Sequence, residues 1–170
     1  VHVLMVGRLA HEKGIDRAIR AVGFARAQGI PAVLHLVGSG PMENALRELA
    51  RALVLEDTVV FHGSQHNPYR FMRNADLLLM TSWHEAAPMV IDEARALSLP
   101  VLSVKTTSSD EMISERGCGW VCENDQAALN TALTAVLKAP ERIQAVRTRL
   151  SETHFGNERA EAAFAALVGR

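Results

Sequence analysis

The sequence predicts an α/β fold, a Rossmann-like doubly wound parallel sheet with helices on both faces. Short β-branched runs alternate along the chain with longer segments whose apolar residues recur at helical spacing. The runs at residues 32–37 and 101–104 are almost continuously apolar, which is typical of strands buried on both faces of a parallel sheet. No internal repeat or linker separates these segments, so right-handed crossovers would join them into one sheet.

The strands and helices are expected to alternate from the first residue onward. Strands are predicted at residues 1–6, 32–37, 58–61, 76–80, 101–104 and 119–121. Helices are predicted at residues 16–27, 42–53, 88–97, 126–137 and 157–167, with an arginine-rich helical face from 142 to 159. Ligands of such sheets bind outside the carboxyl ends of the strands. The turns at 7–14, 38–41, 62–68, 81–87 and 105–110 are therefore the places where functional residues are expected.

Size and composition favour one compact domain over residues 1–170. Apolar residues make up 48% of the chain, which is enough for a core of its own. The formal net charge of −1 gives no electrostatic reason to expect nucleic acid as a partner, and no apolar run is long enough to span a membrane. The two cysteines, Cys118 and Cys122, favour small apolar side chains in a reducing compartment, so a cytoplasmic location is expected.

The first turn combines two glycines with two cations. Gly7 and Gly14 allow a tight bend and a close approach to a ligand, while Arg8 and Lys13 place positive charge over the same crevice. A guanidinium fork and an ammonium point charge both suit phosphate. The alternative is two ordinary surface cations, which are common on loops.

The second turn resembles a dinucleotide fingerprint only in part. Gly38, Ser39 and Gly40 follow a strand and precede a helix, but Glu43 stands where the third glycine is required. Asp57, at about the distance of a ribose-binding acid, precedes the next strand instead of ending it. This turn therefore indicates a tight bend near a ligand and little more.

The fourth turn combines a helix start with two carboxylates. Pro88 suits the first helical position, so the amides of Met89 and Val90 would face an anion. If Val90 begins the core-facing line of this helix, Glu93 lies about 60° from that line, and Glu85 precedes the helix in the loop. Carboxylates accept hydrogen bonds from hydroxyl groups, so a ligand with phosphate and sugar is indicated. The alternative is that both carboxylates only satisfy loop amides and cap the helix.

These turns together resemble the donor domain of retaining GT-B glycosyltransferases of family four. The most specific element is the pair Glu85 and Glu93, with seven residues between them. The match runs in order over almost the whole chain, on Gly7-Arg8-Leu9, Lys13-Gly14-Ile15-Asp16, Val37-Gly38-x-Gly40-Pro41, Val60-Phe61-x-Gly63, Ala75-Asp76, Ser82-x-x-Glu85 and Glu93-Ala94. The fold implied is one half of a GT-B architecture, with an N-terminal acceptor domain outside this chain.

The resemblance implies a role for each turn residue. Arg8 and Lys13 would hold the donor diphosphate and, with Glu85, would be catalytic. Glu85 would meet the hydroxyl groups of the transferred sugar, and Glu93 would bind the ribose. The rest of the implied donor site consists of Gly7, Gly38, Ser39, Gly40, Phe61, His62, Pro88, Met89 and Val90. The last three supply backbone amides, whereas the second turn and the loop after residue 61 border the base. Ala86 and residues 105–109 depart from glycines that are usual in the family, so the donor sugar is not implied.

The reaction implied is glycosyl transfer from a nucleotide sugar to an acceptor hydroxyl with retention, without an obligatory metal or other cofactor. The acceptor, a sugar or a lipid-linked glycan, would bind the N-terminal domain, so the isolated chain is expected to be inactive. UDP is the favoured nucleotide, and the process implied is polysaccharide or glycoconjugate synthesis, with peripheral contact of the full-length protein at the inner face of the membrane. The residues also leave open a nucleotide-sugar 2-epimerase and a non-catalytic nucleotide-binding module. His62 and His66 have no third ligand in sequence range, and no metal site is predicted there.

Overall fold

The computed structural model describes residues 1–85 and 88–153, and these contain a six-stranded parallel sheet. The strands are β1 (His2–Val6), β2 (Val33–Val37), β3 (Val59–Phe61), β4 (Leu77–Met80), β5 (Val101–Val104) and β6 (Gly119–Cys122). Their order across the sheet is β3-β2-β1-β4-β5-β6. Every strand expected from the sequence is confirmed within one residue or two at its ends.

The burial of each strand follows its place in this order. The inner strands β4 and β5 are buried at all four positions, because helices cover both faces there. The edge strands β3 and β6 are mostly half-buried. Strand β2 is buried on one face, while on its other face Val33 and His35 are half-buried and Val37 is buried.

Helices cover both faces of the sheet, so the doubly wound α/β class is confirmed. The helices are α1 (Ile15–Ala27), α2 (Glu43–Ala52), α3 (Tyr69–Asn74), α4 (Met89–Ala96), α5 (Gln126–Leu137) and α6 (Pro140–Glu152). Buried side chains of α1, α2 and α5 form a core with one face of the sheet, and α3, α4 and α6 contribute most of the helical residues on the other face. Each core is apolar and close-packed, which supplies most of the stability.

The sequence missed or misplaced several local elements. Helix α3 and a π-helical turn at Asp110–Glu115 were not expected, because α3 has six residues and buries only Met72, too few for a periodic signal. Pro88 is the N-cap of α4, not its first helical residue, since its ψ of 109° is extended. The buried residues of α4 are Ile91 and Ala94, whereas Val90 is half-buried.

Some expectations fall outside the described residues. These are the helix at 157–167, the last part of the arginine-rich face at 142–159, and the position of Ala86. No helix among the described residues is long and apolar enough to cross a membrane. Cys118 is buried and Cys122 half-buried, and both thiols are free. Burial raises the pKa of Cys122 to about 11.

The strand order places a crevice between β1 and β4. Strand β1 pairs with β2 on one side and with β4 on the other, so the chain reverses its direction of progress across the sheet at this point. The loops after β1 and β4 therefore leave opposite faces and separate above the sheet edge. Such a switch point is the usual place for a ligand in open α/β sheets.

Candidate functional site

A cavity of about 210 Å³ lies at the carboxyl ends of β1 and β4. It is walled by the loops after these two strands and by the start of α4. Of the residues predicted for donor binding, the cavity is lined by Gly7, Arg8, Lys13, Glu85, Pro88, Met89 and Val90. Lys13 and Glu85, 72 positions apart in sequence, thus meet at one site, where the switch point predicts a ligand.

Lys13 and Glu85 form an ion pair inside this cavity. The Nζ of Lys13 donates a hydrogen bond to Oε1 of Glu85, and the hydroxyl of Ser82 donates to the same oxygen over 3.0 Å. The side chain of Glu85 is 16% exposed and that of Lys13 is 34% exposed, so the pair is open to a ligand from one side. The Lys13 charge assigned to phosphate and the Glu85 carboxylate assigned to sugar are therefore paired with each other.

Backbone contacts fix the two loops against each other. The hydroxyl of Thr81 donates to the carbonyl oxygens of Lys13 (3.0 Å) and Gly14 (2.8 Å), and the amide of Trp83 donates to Glu12 over 2.9 Å. Gly14 has a φ of 58°, and a Cβ there would lie 2.3 Å from the carbonyl oxygen of Thr81. Only glycine allows this approach, which brings the loop of Glu85 beside Lys13.

Arg8 lies exposed at the rim of the cavity. Its turn is held by the second turn, because the amide of Gly7 donates to Val37 and that of Leu9 to Ser39, each over 3.0 Å. A Cβ on Gly38 would lie 1.8 Å from the carbonyl oxygen of Gly7. The second turn thus packs on the first as backbone, and Gly38, Ser39 and Gly40 do not line the cavity.

The start of α4 faces the cavity with an apolar rim. Pro88 is buried, whereas Met89 is 76% exposed. The first amides of any helix lack partners within the helix and carry its positive dipole end, which favours an anion. The position of Met89 and Val90 in the wall of the cavity is therefore suited to phosphate.

Glu93 does not line this cavity. It is half-buried on α4, and its Oε1 accepts a hydrogen bond of 3.2 Å from the hydroxyl of Tyr69 on α3. The negative charge of Glu93 raises the pKa of Tyr69. The two glutamates of the predicted pair thus have separate surroundings: Glu85 lies beside the loop after β1 and Glu93 beside α3.

Phe61 and His62 also lie outside the cavity. The guanidinium of Arg47 stacks over the ring of Phe61 at 4.2 Å. His62 lines a second cavity of about 670 Å³ on the α3 side of the sheet, together with His2 and His35. Each neighbouring pair of these imidazoles is joined by a 2.9 Å nitrogen–nitrogen contact.

Sequence reasoning missed the residues beneath the site. Arg17 and Asn124 contact the loop after β4 that carries Glu85, and neither belongs to a turn motif. The signal available was a single arginine within the first turn of α1, close to an apolar stripe, which a charge count cannot separate from a surface residue. Among residues 1–85 and 88–153, no group of three or more His, Cys, Asp or Glu side chains is arranged to hold a metal ion.

The fold and its crevice define the Rossmann-like domain that GT-B glycosyltransferases share, and the comparison of structures gives the same class. The chain matches 95% of its length to the crystal structure of WaaG, a glycosyltransferase of lipopolysaccharide biosynthesis, with a TM-score of 0.78 and 27% identity, over 45% of that chain. More narrowly, this chain belongs to the family described as glycosyl transferases group 1, whose model matches residues 2–153. The suspected relationship is thereby confirmed at the level of the family.

Curated relatives carry the same class of name. A colanic acid biosynthesis glycosyltransferase of Salmonella typhimurium, WcaL, is 30% identical over 89% of this chain and 40% of its own length. A GDP-mannose-dependent phosphatidylinositol dimannoside mannosyltransferase of Mycobacterium tuberculosis is 28% identical over 96% of this chain and 42% of its own. The chain therefore spans about two fifths of the length of these relatives.

Proposed function

We propose that this chain is the donor-binding domain of a retaining glycosyltransferase and binds a nucleotide-diphosphate sugar in the crevice between β1 and β4. The observation that carries the proposal is the Lys13–Glu85 pair, which places a phosphate-suited cation and a hydroxyl-suited carboxylate side by side at the switch point. A ligand that contains only phosphate would be repelled by Glu85. A ligand that contains phosphate and sugar satisfies both groups.

The diphosphate would lie between Arg8, Lys13 and the start of α4. Arg8 is exposed at the rim and free to fold over a ligand, and Lys13 would exchange Glu85 for a phosphate oxygen. The helix amides of Met89 and Val90 add two further donors. These positive groups would stabilise the charge that develops on the leaving diphosphate, so the mechanism needs no step through a metal ion.

The sugar and the ribose would then occupy opposite ends of the ligand. Glu85, released by Lys13, accepts hydrogen bonds from sugar hydroxyls near the reacting carbon, and Ser82 keeps the carboxylate in place. Glu93 would accept from the ribose hydroxyls after Tyr69 turns away, since its present hydrogen bond of 3.2 Å is long and exposed.

The acceptor and the biosynthetic process concern the full-length protein. WcaL is named for colanic acid biosynthesis and the mycobacterial relative for a mannosyl transfer from GDP-mannose, so polysaccharide or glycolipid acceptors are proposed here. The chain spans only about two fifths of each, and we propose that the acceptor binds outside it. The purified 170-residue chain should then bind a donor and transfer nothing.

A calorimetric screen tests this function directly. The ligands are UDP, GDP and ADP, the sugar nucleotides UDP-glucose, GDP-mannose and ADP-glucose, and uridine as the nucleoside control. One diphosphate should bind in the micromolar range, and its sugar conjugate should bind more tightly, because Glu85 reads only the sugar. Glu93→Ala should weaken the diphosphate and its conjugate by the same factor, about tenfold for one charged hydrogen bond.

Two results would reject the proposal. The first is absence of binding for all six nucleotides to a chain that circular dichroism shows to be folded. The second is robust glycosyl transfer by the isolated chain to simple acceptors, which would place the acceptor site within it.

A further inference from the structure

Arg17 is a buried cation that the proposed binding of donor does not use. It lies in the first turn of α1 and is 3% exposed. Burying a guanidinium is costly unless its donors are satisfied, and two of its nitrogens, Nε and Nη2, have no hydrogen-bond partner within the described part of the chain. Burial lowers the pKa of Arg17. A side chain held at such a cost calls for a structural or functional reason.

Two of its side-chain contacts lead to the loop after β4. The Nη1 of Arg17 donates to the carbonyl oxygen of Thr81 over 3.2 Å, and its guanidinium carbon stands 4.2 Å from the ring centre of Trp83. Both residues precede Glu85 on the same short loop. The side chain therefore holds the base of this loop by one hydrogen bond and by a cation–π contact on its outer side.

Asn124, which follows β6, completes the arrangement. Its Oδ1 accepts a hydrogen bond of 2.6 Å from Nη1 of Arg17. Its Nδ2 donates to the carbonyl oxygens of Trp83 (3.4 Å) and Lys105 (3.0 Å). One amide side chain thus bridges the loops after β4 and β5 while it is anchored on the cation of α1.

The arrangement bears on the site through two connections. Thr81 also bonds the backbone of Lys13 through its hydroxyl, and Ser82, the next residue, donates to the carboxylate of Glu85. A shift in the loop at Thr81 would therefore move both members of the Lys13–Glu85 pair. Catalytic and binding groups need positions held to a fraction of an ångström, and buried supports supply that precision.

We propose that Arg17 and Asn124 are positioning residues, a buried support that sets the loop after β4 and thereby the place of Glu85 toward the donor sugar. Neither residue touches the ligand in this scheme. The effect on the donor sugar rests on the proposed function, whereas the effect on the loop depends on the fold alone. The test therefore has one arm without nucleotide and one arm with it.

The first arm needs no nucleotide. Trp83 becomes the single tryptophan in the Trp120→Phe background, since the chain contains two. Its side chain is 40% exposed, and acrylamide quenching should rise by about twofold in Arg17→Met, because the guanidinium no longer covers the ring and the loop loosens. Arg20→Met, which removes an exposed charge from the same helix, is the matched control and should leave quenching unchanged.

The second arm measures the ratio of affinities for UDP-glucose over UDP, and for GDP-mannose over GDP, by calorimetry. Arg17→Met should lower the ratio by about tenfold for the pair that binds, because Glu85 reads the sugar, while the diphosphate alone changes little. Asn124→Leu should lower the ratio less, since Thr81 keeps its bond to Arg17. Arg17→Lys should restore part of the ratio because a cation remains.

The outcomes separate the two ideas. If no nucleotide binds the wild-type chain, the proposed function is wrong, and quenching alone tests whether Arg17 and Asn124 hold the loop after β4. If Arg17→Met is folded and its quenching and affinity ratio equal those of Arg20→Met, the proposal that Arg17 positions this loop is wrong. If Arg17→Met unfolds, Asn124→Leu becomes the test, and unchanged quenching and ratio in that variant overturn the proposal.

Discussion

Replacing Glu85 by glutamine should separate recognition of the diphosphate from recognition of the sugar. The amide has the shape of the carboxylate and still accepts from Ser82, so the loop should keep its place. The change removes only the negative charge that Lys13 contacts. We therefore expect opposite effects on two ligands from one substitution.

The magnitude follows from the exposure of the pair. Lys13 is 34% exposed, so solvent screens the pair, and it is worth about 0.5–1 kcal/mol, in the range of partly exposed ion pairs. The wild-type protein loses this pair when Lys13 turns to phosphate, and the Glu85→Gln variant has no pair to lose. UDP should therefore bind about two- to fivefold more tightly to the variant. The added affinity of UDP-glucose over UDP should fall about tenfold, because one charged hydrogen bond to a sugar hydroxyl is lost.

Isothermal titration calorimetry of both ligands at low salt measures these changes. Asp92→Asn is the matched control, since Asp92 is an exposed carboxylate of α4 that pairs with Arg95 and Arg116 away from the cavity. The gain for UDP should shrink in about 0.5 M salt, because the pair is electrostatic. Weaker binding of UDP by the variant, or an unchanged ratio of UDP-glucose to UDP, would refute the reasoning.

The remaining predictions concern the rim cation, the histidines and one glycine. Arg8→Ala should weaken the binding of UDP by about tenfold or more, because one charged contact of roughly 1.5 kcal/mol is lost. The binding of uridine should not change in the same calorimetric assay, and equal losses of affinity for both ligands would show that the side chain only holds its loop. Burial lowers the pKa of His35 and His62 from 6.5, so the unfolded chain binds protons more readily. The stability that these two histidines contribute is complete above about pH 7 and is lost as the pH falls through 6.5 toward their pKa values in the folded protein. The free energy of unfolding in urea should therefore be lower at pH 5.5 than at pH 7.5, and His35→Gln should make this difference smaller. An equal difference in both proteins would contradict this prediction. Gly14→Ala should lower the free energy of unfolding by more than Gly29→Ala in the same measurement. Both positions have a positive φ, which costs a non-glycine residue about 1–2 kcal/mol, but only Gly14→Ala would place a Cβ 2.3 Å from a carbonyl oxygen of the loop after β4. Equal losses would show that this loop moves to accept the methyl group.

The fold class could be predicted closely because its signals are local. Apolar runs and helical periodicity depend on neighbours in sequence, and the strands fall where they were expected. Helix α3 escaped notice because six residues with one buried side chain leave no repeating pattern. Pro88 was displaced by one position because capping depends on backbone angles that a proline alone does not set.

Part of the site could be predicted as well, residue by residue. The turns that carry Arg8, Lys13 and Glu85 were recognised from glycines and charges, and the structure brings them to one cavity. Their roles stay predictions. Glu93 and His62 were grouped with them, yet Glu93 is hydrogen-bonded by Tyr69 and His62 lines a different cavity. Residues of one sequence motif therefore do not all line the same cavity.

The sequence by itself determined which segments form strands and helices, and which turn residues have the chemistry for phosphate and hydroxyl groups. Only the tertiary structure decided that β1 lies beside β4, so that Lys13 meets Glu85, 72 positions away, above the buried guanidinium of Arg17. Local propensities depend on a few neighbouring residues, whereas the order of strands and the pairing of distant charges depend on how the two apolar faces of the sheet are covered. That packing is a property of the whole chain, and it places the site.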